Sequence, residues 1–360
     1  MVQWNDIPYD VLEALCKETA ISSRSGLNET SSRRRAPNDG RKSLFALSVV
    51  DSRAREACYP WLFHKVTFDK KWASSPSWEV FDERMKLMVK NPALCRAVKT
   101  FELDAWVDDV ENNCPSPTTY ALLPTFLASF PQLRKLTFRI QDPFVPGFQT
   151  AFDNVVETHG PFLTIENLTI SRSCVFLIQH CPNILEFEED SLYRDKDVQY
   201  IAITKPLSTS CQGLRHFSTK EVITSKTLRD LLTYIPHLEE LKLNGGVQSW
   251  CNDPEDQETS GQGIMKFLPT FARFPTLRKL VLPNASSLDI GFDPPWCGNA
   301  YDNNPGLVER VAREGREASE RVANGVQTLC SVVSELWVGH ICFRRDEKGI
   351  MVRSNPEEDR

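Results

Sequence analysis

Apolar residues recur along this chain with two different periods, and the change of period divides it. Near the start, Val11, Leu12, Leu15 and Thr19 return at helical spacing, which predicts an amphipathic helix over about 7–20. Pro8 suits the first helical turn, where its missing N–H is not needed. Ile21 to Lys42 is rich in Ser, Arg, Asn and Gly, and reads as an exposed loop or disordered insert. A second helical pattern places Leu44, Leu47, Val50, Ala54 and Ala57 on one side, with Pro60 expected to end it. Trp61, Leu62 and Phe63 follow as a dense apolar knot.

From about residue 94 a short pattern of apolar-x-x-apolar-x-apolar recurs. It reads Val98, Phe101, Leu103; then Leu133, Leu136, Phe138 in FPQLRKLTF; then Ile165, Leu168, Ile170. It returns as Leu238, Leu241, Leu243 in IPHLEELKL and as Leu277, Leu280, Leu282 in FPTLRKLVL. Weaker copies are Leu185 with Phe187, Leu214 with Phe217, and Val333, Leu336, Val338. The last two apolar positions are two apart, so they share one face of a strand. Their neighbours face the other way and are mostly polar: Glu102, Thr137, Arg139, Thr169, Lys242 and Asn244. Between the strands lie helical runs such as Leu122, Leu123, Phe126, Leu127, Phe130, and Leu228, Leu231, Leu232, Ile235.

This alternation predicts an α/β fold of irregular strand-helix repeats stacked as a solenoid, each helix covering its own strand and the next. The strand anchors lie 19 to 56 residues apart, against about 20–29 for regular leucine-rich units. The competing architecture is a doubly wound α/β domain, whose buried parallel strands should be apolar on both faces. Strands polar on one face favour the solenoid, and that exposed face is the candidate target-binding surface. A long charge-laced helix is expected between Leu307 and Val333, and a polar tail from Arg344 onward is expected to fray.

The 360 residues carry a formal net charge of -6, which offers no electrostatic reason to expect nucleic-acid binding. Residues 1–72 nevertheless carry 12 Lys and Arg against 9 Asp and Glu, with the excess in Arg33, Arg34, Arg35, Arg41 and Lys42. No run of about 18 apolar residues predicts a membrane span, and the first residues lack a signal-peptide pattern. The eleven cysteines never form C-x-x-C and read as buried free thiols in a reducing compartment, cytoplasmic or nuclear. No metal or cofactor is expected. Neither a phosphate loop nor a G-x-S-x-G elbow is present, and no catalytic set is assigned. The run Glu186, Glu188, Glu189, Asp190 reads as a solvated acidic face rather than a carboxylate pair.

The segment over about 4–66 resembles an F-box. Ile7-Pro8 matches its opening apolar-Pro pair, Val11, Leu12 and Leu15 its first helix, Leu44, Leu47 and Val50 its second, and Trp61-Leu62 its aromatic closure. Together with repeats of the FPxLRKLxL type, the chain resembles fungal F-box/leucine-rich-repeat proteins. It departs from the pattern in the insert between the two helices. The resemblance implies three regions: an F-box-like helical segment at 1–72 with an insert at about 21–42, a degenerate leucine-rich-repeat domain at 73–343, and a flexible polar tail at 344–360. It further implies docking on a Skp-family adaptor and, through it, a cullin-RING ubiquitin ligase. The chain would then be a non-catalytic substrate receptor in ubiquitin-dependent degradation. Ile7, Pro8, Val11, Leu12, Leu15, Leu44, Leu47, Val50 and Trp61 would form the docking or box-core set. Three alternatives stay open: stripes that only pack on the first repeat, a repeat scaffold without ligase coupling, and a hydrolase or transferase on an α/β core.

Overall fold

The computed structural model describes residues 7–22, 39–70, 77–107, 109–110, 112–190, 201–247, 262–295 and 304–354. It comprises two compact units, Met1–Ile165 and Glu166–Arg360. Among the described residues no helix is long and apolar enough to cross a membrane.

The first unit opens with three helices, α1 (Tyr9–Ser22), α2 (Asp39–Ser48) and α3 (Ser52–Leu62). The predicted second helix is thus two. Asp51 ends the run: its extended backbone breaks the helix, and its carboxylate accepts from the Ala54 N–H as the cap of α3. Pro60 lies inside the last turn of α3 instead of stopping it. The helical ends Tyr9–Ser22 and Asp39–Ser48 also narrow the expected insert, whose middle, 23–38, lies outside the described residues.

Then follow β1 (Lys65–Lys70), α4 (Trp78–Val89), α5 (Pro92–Ala97), β2 (Thr100–Ala105), α6 (Pro117–Ala128), β3 (Lys135–Ile140) and α7 (Val145–His159). β1, β2 and β3 pair in parallel in chain order. Side-chain oxygens of Ser77, Asn91 and Ser116 cap α4, α5 and α6, each accepting from the N–H three residues on. The core is aromatic. Phe68 of β1 stacks on Phe81 at 3.8 Å, and Phe138 of β3 meets Phe148 and Phe152 edge-on at 5.5 and 5.6 Å. The strand β1 carries no full copy of the repeat pattern and lies inside the segment 1–72 expected to be helical.

The second unit runs β4 (Asn167–Ile170), α8 (Phe176–His180), β5 (Glu186–Glu189), α9 (Ile201–Ser210), β6 (His216–Thr219), α10 (Ser225–Tyr234), β7 (Glu240–Leu243), α11 (Leu268–Phe271), β8 (Lys279–Leu282), α12 (Pro305–Leu329), β9 (Glu335–Val338), β10 (Ile341–Arg345) and β11 (Met351–Arg353). Strands β4 to β9 are parallel neighbours in chain order, and β9, β10 and β11 are antiparallel. The strand order in each unit never doubles back, so neither contains the switch point of a doubly wound sheet.

Every weak copy of the repeat is a real strand. In β6 to β9 the second and fourth residues are buried and the first and third are not. The backbone repeats as well. Arg215 and His216 donate their N–H groups to the Leu185 carbonyl at 2.9 and 3.0 Å. Glu239 and Glu240 do the same to Arg215 at 2.8 and 3.1 Å, as do Arg278 and Lys279 to Glu239 at 2.9 and 3.0 Å. Each repeat therefore hangs on the turn of the one before it. The expected frayed tail is corrected over 344–354, where β10 and β11 form a hairpin, while its remainder, 355–360, lies outside the described residues. Asp346 accepts from the N–H groups of Lys348 and Ile350, Gly349 turns at φ 80°, and the Arg345 guanidinium binds the carbonyls of Cys330, Val333 and Gly349.

Candidate protein-docking surfaces

The three helices at the start share one small core. Leu12 and Cys16 from α1, Leu44 from α2, and Ala57, Cys58 and Leu62 from α3 are buried together, with Ile7, Leu47 and Trp61 packed against them. Chain ends are fixed by cross-links between elements: Arg53 donates to the Ile7 carbonyl at 2.8 Å and Arg55 to the Ser48 carbonyl at 3.2 Å. The Cys16 and Cys58 sulfurs lie 3.5 Å apart, and burial pushes the Cys58 thiol up to about 12, so both stay protonated at neutral pH.

The same two helices turn apolar residues outward. On α1, Tyr9, Val11 and Leu15 are exposed, Val11 and Leu15 lying one turn apart. On α2 and just beyond its end, Phe45, Val49 and Val50 are 63%, 62% and 57% exposed. The structure thus sorts the expected docking set. Leu12 and Leu44 belong to the interior; Ile7, Leu47 and Trp61 are half-buried; Pro8, Val11, Leu15 and Val50 face outward. The sequence reading missed Tyr9, Phe45 and Val49. A signal was present, because Phe45 and Val49 are four apart in SLFALSVV and share a helix face opposite Leu44.

The outward strand residues are largely occupied with one another. In the first unit Lys65 pairs with Glu102 at 2.7 Å and Arg139 with Asp104 at 2.9 Å. In the second unit the first residues of successive strands stand in one row: Asn167, Glu186, His216, Glu240, Lys279, Glu335 and, on β10, Arg344. Asn167 donates to Glu186 at 2.5 Å, and His216 lies 3.4 Å from the same carboxylate. Lys279 sits 3.4 Å from Glu240 and 3.6 Å from Glu335, and Arg344 3.4 Å from Glu335. Partial burial acts to raise the Glu335 carboxyl, but a Trp337 N–H bond at 2.7 Å with Lys279 and Arg344 holds it below its ordinary value.

The neighbouring row offers more to a partner: Glu188, Ser218, Lys242, Val281 and Trp337 run side by side and are partly exposed. Of the six expected target-facing residues, Lys242 and Glu102 are half-buried and Asn244 is exposed, where its amide reaches the Ser218 hydroxyl at 3.4 Å. Thr137 and Thr169 are corrected: they point away from the core yet are buried and present little surface. Arg139 is held by Asp104.

The acidic run at 186–190 is corrected in its second half: Glu186 and Glu188 do reach solvent, but Glu189 and Asp190 are buried. Glu189 is 0% exposed and takes a core position, in register between Ile170 and Thr219. Its carboxylate accepts from Arg172 Nε at 2.9 Å and from the Thr219 hydroxyl at 2.5 Å. Arg172 reaches Glu221 at 2.5 Å, and Asp190 pairs with Lys220. These ion pairs compensate the buried carboxylates, which are tolerable only with such partners.

Among the described residues, α1 and α2 thus carry an apolar face that nothing covers, and the strand face of the second unit carries a row of charges paired across strands. No protein-family model matches the chain, and no curated protein is matched by its sequence.

Proposed function

We propose that this chain is the substrate-recognition subunit of a Skp–cullin–F-box type ubiquitin ligase, and that it performs no catalysis itself. The face formed by Val11, Leu15, Phe45, Val49 and Val50 docks a Skp-family adaptor, and the strand-and-helix units act as a leucine-rich-repeat body that holds the target. The observation that carries this reading is the exposure of these residues on helices whose own core is already filled by Leu12, Cys16, Leu44 and Cys58. Apolar surface left in water costs ~25 cal/mol per Å², and a helix-in-groove partner removes that cost. The mechanism is proximity: a fixed body presents the target to a group transferred by other subunits.

Co-purification of the full chain with a Skp-family adaptor tests the reading. Stable binding that is lost in Phe45→Asp is the expected result. If the intact chain fails to bind where a known F-box protein binds, ligase coupling is refuted. Target capture without adaptor binding would then leave a repeat scaffold.

A further inference from the structure

Charges in the first outward row of the second unit pair across strands, while a different group of basic side chains gathers at one place beyond it. Beyond the ends of β8 and β9, against α12 and β11, lies a cavity of about 400 Å³. That is within the ~300–1,000 Å³ usual for small-ligand sites. Arg316, His340 and Arg353 line it, and among the described residues no carboxylate does. Among the described residues these three side chains make no hydrogen bond or ion pair, in contrast to Lys279 or Arg344 nearby.

The rest of the wall is mostly apolar, with Phe292, Pro294, Val311 and Ile341 beside the polar side chains of Asn284, Ser286 and Ser319. Its shape is built in. Gly315 stands within α12, where glycine costs about 1 kcal/mol against alanine. A Cβ there would come 3.2 Å from the Phe292 ring, so the missing side chain makes room for that wall. Gly339 turns at φ 59°, and a Cβ there would strike the Asn284 amide at 2.0 Å. This tight turn sets His340 at the rim.

We propose that this cavity binds a carboxylate carried on a short apolar body, either a free small acid or the C-terminal residue of a polypeptide. Guanidinium forks match a carboxylate, and the apolar wall takes the body. The inference does not rest on the ligase reading. It deepens that reading only if the source is a polypeptide end, which would then be part of the target.

Calorimetric titration of the full chain tests it with 4-phenylbutanoate, its amide, inorganic phosphate, and an N-acetylated peptide ending in leucine as free acid or amide. The acids are expected to bind, and the amides at least about tenfold more weakly, the loss of one charge-assisted hydrogen bond. Arg316→Gln and Arg353→Gln should each weaken the acids about tenfold, while Arg310→Gln, on the exposed Arg310–Glu314 pair, leaves them unchanged. A peptide acid that outbinds 4-phenylbutanoate identifies a polypeptide end, and the reverse identifies a free acid. No binding by either acid, amides as tight as acids, or phosphate as tight as 4-phenylbutanoate would overturn the proposal.

Discussion

The opening helices and the strand ladder of the second unit treat their surfaces in opposite ways. α1 and α2 bury Leu12, Cys16 and Leu44 but expose Tyr9, Val11, Leu15, Phe45, Val49 and Val50. The ladder buries both core positions of each strand from β6 to β9 and settles one row of outward charges in cross-strand pairs. Even the charge that enters its core, Glu189, is surrounded by donors. The first surface therefore has an unmet demand that a second protein can satisfy, and the second is mostly satisfied internally. An apolar side chain in water gains on contact with any apolar partner, whereas a paired surface charge must first give up its neighbour.

The largest expected effect probes the buried Arg172–Glu189 pair. Glu189→Ala removes one partner of a buried pair and is expected to cost about 3–5 kcal/mol in urea titration. A cost no greater than that of a surface pair would break the claim that the ladder's core charge is compensated. Next, Phe45→Asp is expected to weaken adaptor binding by about 30-fold or more while leaving the urea midpoint nearly unchanged, because the side chain supports no core. Loss of stability instead of binding would show that the apolar face is structural.

Two smaller effects turn on pH and have opposite signs. Asp82 lies buried between α4 and α6, where the Thr119 hydroxyl donates to one carboxylate oxygen at 3.0 Å and the other has no hydrogen-bond partner among the described residues. Burial raises this carboxyl above its ordinary value against the pull of Thr119. Its ionisation therefore costs stability above the folded pKa, and the cost is relieved as pH falls through it. Asp82→Asn is expected to raise the unfolding midpoint at pH 7 and change it little in acid; an equal shift at both would refute the burial argument. Glu335 is held below its ordinary value, so its contribution is present at neutral pH and is lost as pH falls through the folded pKa. Glu335→Gln is expected to cost less than about 1 kcal/mol at pH 7 and nothing in acid, read by thermal unfolding. A larger cost would mean that the outward row bears on the fold itself.

Much of this was legible because strands and helices impress their periods on the sequence. Phe101, Leu136, Leu168, Phe187, Phe217, Leu241, Leu280 and Leu336 all proved to be buried strand anchors. The scattered cysteines also acquire a reason. Cys181, Cys211 and Cys330 stand where Phe130, Ile235 and Phe274 stand in other repeats, at the residue three before the next buried apolar position. There they act as small buried hydrophobes, and burial pushes Cys211 to about 12 and Cys330 to about 11. Illegible were the break at Asp51, whose cap competes with a continuous apolar stripe, and the hairpin after Ile341, which hides in a polar stretch.

Sequence alone determined the alternation of strand and helix, the side of each strand that enters the core, and the positions of two apolar stripes near the start. It could do so because one period acts on neighbouring residues and needs no distant contact. Tertiary structure alone decided which stripe residues look inward, why Glu189 can be buried, and that Arg316, His340 and Arg353 line one cavity. Those outcomes depend on residues far apart in the chain, such as Leu12 with Cys58, or Arg172 with Glu221, and no local pattern records which of them meet.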